Sequence, residues 1–254
     1  MMSNDKPMKN LSAPADVLEL VKQLRTQQEA LREQLRLEQT TLQTLARRLW
    51  LQQEHERAKL SRELHDGVGQ LLTGLKTQLG QAAKTNNELE SLYHTASAAV
   101  ESIRSLSRLM HPTVLTDLGI AAAISWLNRQ MLQPAGVACE TELDIPSNID
   151  MDLQIFLFRI IQEAMVNTVK HARAQRFSIY LMYASDSLRL DMLDNGKGFV
   201  VGKETEGLGL QSMRDRCEAF GAHFTISSSP GNGCQISISL PYQYKEMPMA
   251  SDLL

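Results

Sequence analysis

Cysteine is scarce in this chain of 254 residues. The three present, Cys139, Cys217 and Cys234, are widely spaced and odd in number. That excludes a disulfide framework and a paired-cysteine zinc site, and it suits a reducing compartment. No uninterrupted apolar run approaches the roughly 18 residues of a membrane span. The opening MMSNDKPMKNLSAP lacks the apolar core of a secretory signal. Charge of one sign is not in excess either: 26 Lys and Arg against 29 Asp and Glu give a net −3. No basic face for direct nucleic-acid binding follows from such a balance. There is no internal repeat and no low-complexity tract. These absences set the expectation of a cytoplasmic chain, to which a separate sensor protein would relay any signal from outside the membrane. What is present is 43% hydrophobic residues, over a length that serves one large domain or two smaller ones.

The apolar spacing divides the chain. Residues 1–13 read as a flexible tail. From Pro14 a polar-rich helix begins, with a seam at Val17, Val21, Leu24, Gln28, Leu31, Leu35, Glu38, Leu42, Leu45 and Leu49. Its steps alternate four and three, which is a heptad coiled coil and hence a homodimer; residues 14–56 form its input helix. The next seam runs Leu60, Leu64, Val68, Leu71, Leu75 and Leu79, displaced by one heptad plus four residues. Such a stutter changes the coil winding and is a candidate two-state joint. A third seam, Leu89, Leu92, Ala96, Ala99, Ile103, Leu106 and Met110, follows the polar AAKTNNE turn. Residues 57–111 therefore read as a helical hairpin, and two hairpins make a four-helix bundle in the dimer. His111-Pro112 ends it. A connecting segment, 112–135, holds one short helix in LGIAAAISWLNRQML. Residues 136–243 then alternate strands (ACETELDI, RFSIYLMY, LRLDMLD, HFTISSS, CQISISL) with two helices, an α/β sandwich with a mixed or antiparallel sheet. Asp150 is the expected N-cap of the first of these helices and Gly221 the close of the second. Residues 244–254 read as a tail. The fold class is thus α+β and multidomain.

Three stretches of the second half carry chemistry together. In EAMVNTVKHA, Glu163, Asn167 and Lys170 are four and three residues apart and share a helix face. A carboxylate, an amide oxygen and an ammonium suit a Mg²⁺-bound polyphosphate; a solvated polar face gives the same triplet. LDNGKGF sets Asp194, Gly196 and Gly198 at a strand end, where a plain turn is the alternative. GLGL brings Gly207, Leu208, Gly209 and Leu210 to a helix start, where glycines let backbone N–H groups approach phosphates.

Upstream, RELHDGVGQ places His65 and Asp66 side by side with Gly67 and Gly69 in a helix that each glycine weakens by about 1 kcal/mol. On a regular wheel of about 100° per residue, His65 lies at the edge of the apolar stripe, with Asp66 and Gln70 turned outward. A border histidine that merely packs is the alternative, as is a frustrated or bent helix for the glycines. The functional reading is that small residues there let another domain reach His65.

These ordered stretches resemble the GHKL ATPases and, within them, the sensor histidine kinases. EAMVN is similar to the N box, DNGKGF and GLGL to the two glycine boxes, and PGNGCQISISLP to the closing hairpin. RELHDGVGQ and MHPTVLTDLGI are similar to the phosphoacceptor box and connecting segment of the third dimerisation subfamily, the NarX/DesK-like kinases. The resemblance implies ATP and Mg²⁺ as cofactors. It implies Asp194 on the adenine amino group, Asn167 on Mg²⁺ with Glu163 assisting, and Lys170 and His171 near the phosphates. It further implies Gly196 and Gly198 opening the adenine pocket, Gly207 and Gly209 as hinges of a short lid in VVGKETEG, and His65 as phosphoacceptor beside its orienting base Asp66. The partner implied is a response regulator with a receiver domain, of a kind with helix-turn-helix output. Asp66 and Gln70 form a D-x-x-x-Q pattern that implies phosphatase activity toward it. The family often has arginine where His111 stands and threonine where Cys234 stands; Cys234 is read as capping a strand. A GHKL ATP-binding regulatory module or pseudokinase, acting by protein binding, is the alternative.

Overall fold

The computed structural model describes residues 14–146, 149–202 and 207–243. Both expected tails and residues 203–206 of the expected lid lie outside them. The chain divides into two compact units, Met1–Leu45 and Ala46–Leu254. In the first, helix α1 (Pro14–Glu63) begins, and its seam residues Leu24, Leu31, Leu35, Leu42 and Leu45 all face solvent. The apolar stripe is thus complete and uncovered, as a coiled-coil strand taken alone would be.

The second unit takes in the rest of α1. Here the helix carries a different stripe: Trp50, Glu54, Ala58 and Ser61 are buried, at steps of four, four and three. The indole of Trp50 stands edge-on to Phe220, ring centroids 5.2 Å apart, and Phe220 stacks on Phe156. Residues 46–56, which the heptad seam assigns to the input helix, therefore pack with the residues that follow. The stutter between Leu49 and Leu60 coincides with this second stripe.

After α1 the chain does not continue as a regular α-helix. Leu64–Gly69 is a π-helical turn, followed by helix α2 (Gln70–Ala83), a turn in which Asn86 accepts the Glu88 N–H at 3.0 Å, and helix α3 (Glu90–Met110). α2 and α3 pack as the expected hairpin, with Ala96 and Val100 inside, yet α2 has no buried residue of its own. Helix α4 (Thr113–Leu127) starts five residues earlier than LGIAAAI suggests and is broken at Gly119, whose φ of 76° only glycine adopts freely. Its second part buries Ala123, Ile124 and Leu127 completely. The connecting segment is thus part of the core of the domain it leads to.

That domain is a five-stranded mixed sheet in the order β1-β2-β3-β5-β4, formed by Ala138–Asp144, Arg176–Ala184, Ser187–Asp194, Cys234–Pro241 and His223–Ser228 respectively. β1 pairs with β2 in parallel and every other pairing is antiparallel. Strand alternation sends Phe177, Ile179, Leu181, Leu188, Leu190, Met192, Ile236 and Ile238 into the core. There they meet helix α5 (Met151–Asn167), whose Phe156, Phe158, Ile160, Ile161 and Met165 are fully buried. Helix α6 (Leu208–Ala219) adds Met213 and Cys217. Asp150 stands at the N-cap of α5 but makes no side-chain cap bond, so the expected cap is positional only. Ser185 and Asp186, both at positive φ, form the tight hairpin turn between β2 and β3.

Candidate functional site

Two places in the second unit gather the residues singled out by the sequence. The first is a groove of about 480 Å³ between the end of α5, the end of β3 and the start of α6. Glu163, Asn167, Lys170, His171, Asp194, Gly198, Gly207, Leu208, Gly209 and Leu210 all line it. α5 gives way to a π-helical turn at Thr168–Ala172, which carries Lys170 and His171 to the groove edge. Phe177, Met192 and Ile236 make an apolar wall. Asp194 lies in that wall at the end of β3, in register with Phe177 on one side and Cys234 on the other. Burial raises the Asp194 carboxyl above the usual aspartate range, and the N–H groups of Gly196 and Cys234 offset part of the rise.

The glycines have steric reasons. Gly196 does not line the groove; its N–H donates to Asp194 Oδ1 at 2.8 Å, and a Cβ there would run into the Ala172 carbonyl. Gly198 has φ 58°, and a Cβ would strike the carbonyl of Ser229. At Gly209 a Cβ would collide with the Glu163 carboxylate, with Asn167 Nδ2 3.5 Å away. Glycine 209 therefore lets a helix start pass directly over the acid and amide of α5. Leu208 is 91% exposed, so its side chain covers nothing.

Besides the apolar wall of Phe177, Met192 and Ile236, sequence reasoning missed Lys197, Phe199 and Cys234 in the groove lining. Lys197 and Phe199 line the groove through the same loop as Gly198. Cys234 lines it as well, a place beyond the strand-capping role expected of it, and burial pushes its thiol up to about 12. The pairing of strands β3 and β5 brings it there.

The second place is the π-helical turn. His65 and Asp66 are both exposed, and His65 Nδ1 lies 3.0 Å from Asp66 Oδ1. A carboxylate only accepts, so Nδ1 is the donor and the lone pair of the neutral ring sits on Nε2. Asp66 and Gln70 line one shallow groove on α2 with Gly67, Leu71 and Gly74. His65 and Asp66 also line a pocket with residues of α3. His65 is not part of the first groove. The widened turn departs from the regular wheel used for the sequence, and such turns recur at functional sites.

Two sequence families match the chain where these features lie. Residues 56–115 match the family described as "Histidine kinase". Residues 152–244 match "Histidine kinase-, DNA gyrase B-, and HSP90-like ATPase". The chain belongs to the histidine kinases. Among relatives of this chain, the "Signal transduction histidine-protein kinase/phosphatase UhpB" of Salmonella typhimurium is 34% identical over 209 residues, 79% of this chain and 41% of that protein. The "Sensor histidine kinase MctS" of Rhizobium johnstonii is 32% identical over 221 residues, 81% of this chain and 47% of that protein. The chain thus spans less than half the length of either relative. Among solved structures, the Erythrobacter litoralis EL346 blue-light activated histidine kinase is similar at 17% identity and TM-score 0.43, over 67% of this chain and 59% of that one. Full-length ShkA is similar at 18% identity and TM-score 0.44, over 78% and 48%. Among the described residues of the chain, no helix is long and apolar enough to cross a membrane.

Proposed function

We propose that the chain is a two-component sensor histidine kinase that transfers the γ-phosphoryl group of ATP to His65 and then to an aspartate of a response regulator. The observation that carries the reading is the pairing, in one chain, of the groove of α5, β3 and α6 with an exposed imidazole whose Nδ1 is engaged by a carboxylate. The apolar wall around Asp194 suits adenine, the half-buried carboxylate accepting from its amino group. Lys170 and His171, which line the groove from the turn after α5, suit the phosphates.

Among the described residues no cluster of three or more His, Cys, Asp or Glu could hold a metal ion alone. Glu163 and Asn167, side by side beneath Gly209, supply two oxygen donors, which fits Mg²⁺ shared with a triphosphate. Held by Glu163 and Asn167, such an ion would neutralise charge developing on the phosphate oxygens. In the transfer, the Nε2 lone pair of His65 forms the N–P bond as the bond from the γ-phosphorus to the ADP oxygen breaks. ADP leaves with that electron pair. Asp66 balances the charge that develops on the ring through Nδ1–H and can take that proton. Passage to the regulator reverses the chemistry at phosphorus: an aspartate oxygen bonds to phosphorus as the N–P bond breaks. Gln70, one turn beyond Asp66 on the same groove, would orient a water that attacks the regulator's acyl phosphate, breaking the bond from phosphorus to the aspartate oxygen and releasing inorganic phosphate.

The functional unit is a homodimer. Leu60, Val68, Leu71, Leu75, Leu92 and Leu106 leave the hairpin exposed, and α2 buries nothing by itself. An apolar face of that extent is covered by a second hairpin. The site works on the cytoplasmic side, where ATP is, and the subfamily resemblance points to a regulator with helix-turn-helix output. A chase tests the reading. The chain is incubated with γ-labelled ATP, freed of nucleotide, and mixed with a candidate receiver domain. Label passing to the receiver as an acyl phosphate supports transfer; label that leaves the chain without ever appearing on a receiver contradicts it.

A further inference from the structure

The groove accounts for where ATP binds, and Asp66 for how His65 is oriented. Neither uses the pocket of about 250 Å³ on the other side of His65, between the end of α1 and the end of α3. Its lining is unusual in charge. Arg62, Arg104 and Arg108 all reach it, with His111 beside them. Arg62 and Arg108 make no ion pair among the described residues, and Arg104 has only Glu101, at 2.9 Å. Asp66 is the one carboxylate in the lining, and it already serves His65. Arg62 and Arg108 are exposed, so water screens their repulsion, but the lining keeps an excess of positive charge that an anion would balance.

A second observation points the same way. Ser107 is 5% exposed and lines this pocket, and its hydroxyl makes no hydrogen bond among the described residues. The hydroxyl is not starved by an isolated backbone: the Ser107 carbonyl accepts from Ser61 Oγ at 2.8 Å. A buried hydroxyl with no partner calls for an explanation, and a ligand oxygen is one. Three guanidinium groups and one hydroxyl are donors in the number and kind that a tetrahedral oxyanion takes.

We infer that this pocket, formed by Ser107, Arg62, Arg104, Arg108 and His111, receives the phosphoryl group carried on His65. The inference rests on His65 as phosphoacceptor and adds a holding site for the phosphorylated state. The hairpin supplies the attacking nitrogen from the π-helical turn and the anion site from α3, so the phosphorylated imidazole is held by donors of its own bundle. Arg104 exchanges its bond to Glu101 for one to the phosphoryl oxygens. His111, half-buried beside Arg62, is kept mostly neutral by burial and by that arginine, and contributes a ring N–H.

The test loads the phosphoryl group without ATP. Phosphoramidate phosphorylates histidine directly, so the full chain can be labelled whether or not it is a kinase. The ³¹P signal missing from His65→Gln identifies phosphorylated His65, and its chemical shift is followed against pH. Nearby cations favour the doubly charged phosphoryl form. Its second ionisation should therefore lie about one unit or more below that of free phosphohistidine. It should move back up in the Arg104→Gln/Arg108→Gln double variant. Ser107→Ala should raise it too while raising Tm, since it removes a hydroxyl without a partner and is a better helix former. An ionisation equal to that of free phosphohistidine, or unmoved by the variants, overturns the pocket. So does a pocket that shifts the signal of added inorganic phosphate and leaves phosphorylated His65 untouched. If His65 shows the lowered ionisation and γ-labelled ATP never labels it, the pocket stands and the kinase reading falls.

Discussion

Glu54 and Arg159 offer the sharpest test of how the last part of α1 is held. Their side chains are 6% and 4% exposed, and Arg159 Nη2 lies 2.7 Å from Glu54 Oε2. Arg159 also donates from Nε to Glu54, from Nη1 to the Leu109 carbonyl and Gln162, and from Nη2 to the Met110 carbonyl. One guanidinium thus ties α1, the end of α3 and α5. Removing one partner of a buried pair costs about 3–5 kcal/mol, because the other charge stays buried. Glu54→Leu should sit near 3, since Arg159 keeps three acceptors. Arg159→Met should cost about 4–5, because it strands the Glu54 carboxylate with only Arg57, at 3.2 Å, orphans the Met110 carbonyl and leaves that of Leu109 only a 3.4 Å bond from Gln162. The double variant removes both charges together and should cost about 2–3, well under the sum. Urea denaturation of the full chain, at constant salt, gives the cycle, and tryptophan fluorescence, from Trp50 and Trp126, follows the same packing. Additive losses, or a Glu54→Leu cost below about 1 kcal/mol as for an exposed pair, would refute this account of the node.

Gly209→Ala should leave Tm unchanged or higher, because alanine favours a helix start, yet lower affinity for a non-hydrolysable ATP analogue by about tenfold or more as its methyl displaces Glu163; scanning calorimetry reads the first and calorimetric titration the second. Asp194 should set an acid limb on nucleotide binding: affinity is lost as pH falls through its raised pKa, and Asp194→Asn should abolish that limb along with most of the affinity. Stability runs the other way. Between the ordinary aspartate value and the raised one, the folded chain holds a proton that the unfolded chain has released, so stability falls as pH rises through that window, and Asp194→Asn should remove the fall in pH-dependent denaturation. Gly67→Ala meets nothing within 4 Å and should stabilise the hairpin by up to about 1 kcal/mol; a slowed phosphorylation of His65 would tie the glycine to access, and an unchanged rate would remove that role. Gln70→Ala should spare phosphorylation of His65 and weaken dephosphorylation of the regulator; loss of both points to misfolding.

The hairpin, the strands and the glycine boxes were legible because each is a short-range pattern. Heptad steps, alternation and turn residues are local, and the order of EAMVN, DNGKGF and GLGL narrows the site to one groove. What stayed hidden depends on partners distant in sequence. The stripe of Trp50, Glu54, Ala58 and Ser61 is present in the letters, but the heptad seam beside it dominates, and Arg159 lies 105 residues away. Gly119 gives no local sign that it breaks α4, since a single glycine is tolerated in a helix. The π-helical turn at Leu64–Gly69 shows itself only as two glycines where alanine would serve better. The role of Cys234 as groove wall follows from the β3–β5 register, which strand patterns alone do not fix. Of the arginines beside His65, Arg104 and Arg108 lie one turn apart on α3, but Arg62 comes some forty residues earlier and meets them only when the hairpin closes.

The central claim is that ATP held in the groove phosphorylates His65. Mass spectrometry at neutral pH, on peptides from the chain incubated with ATP, locates the phosphoryl group before it can hydrolyse. The account predicts one added phosphoryl on the peptide containing His65, absent in Asn167→Ala and in His65→Gln. A phosphoryl group on any other residue of the wild-type chain, or on His65 equally in Asn167→Ala, would contradict it.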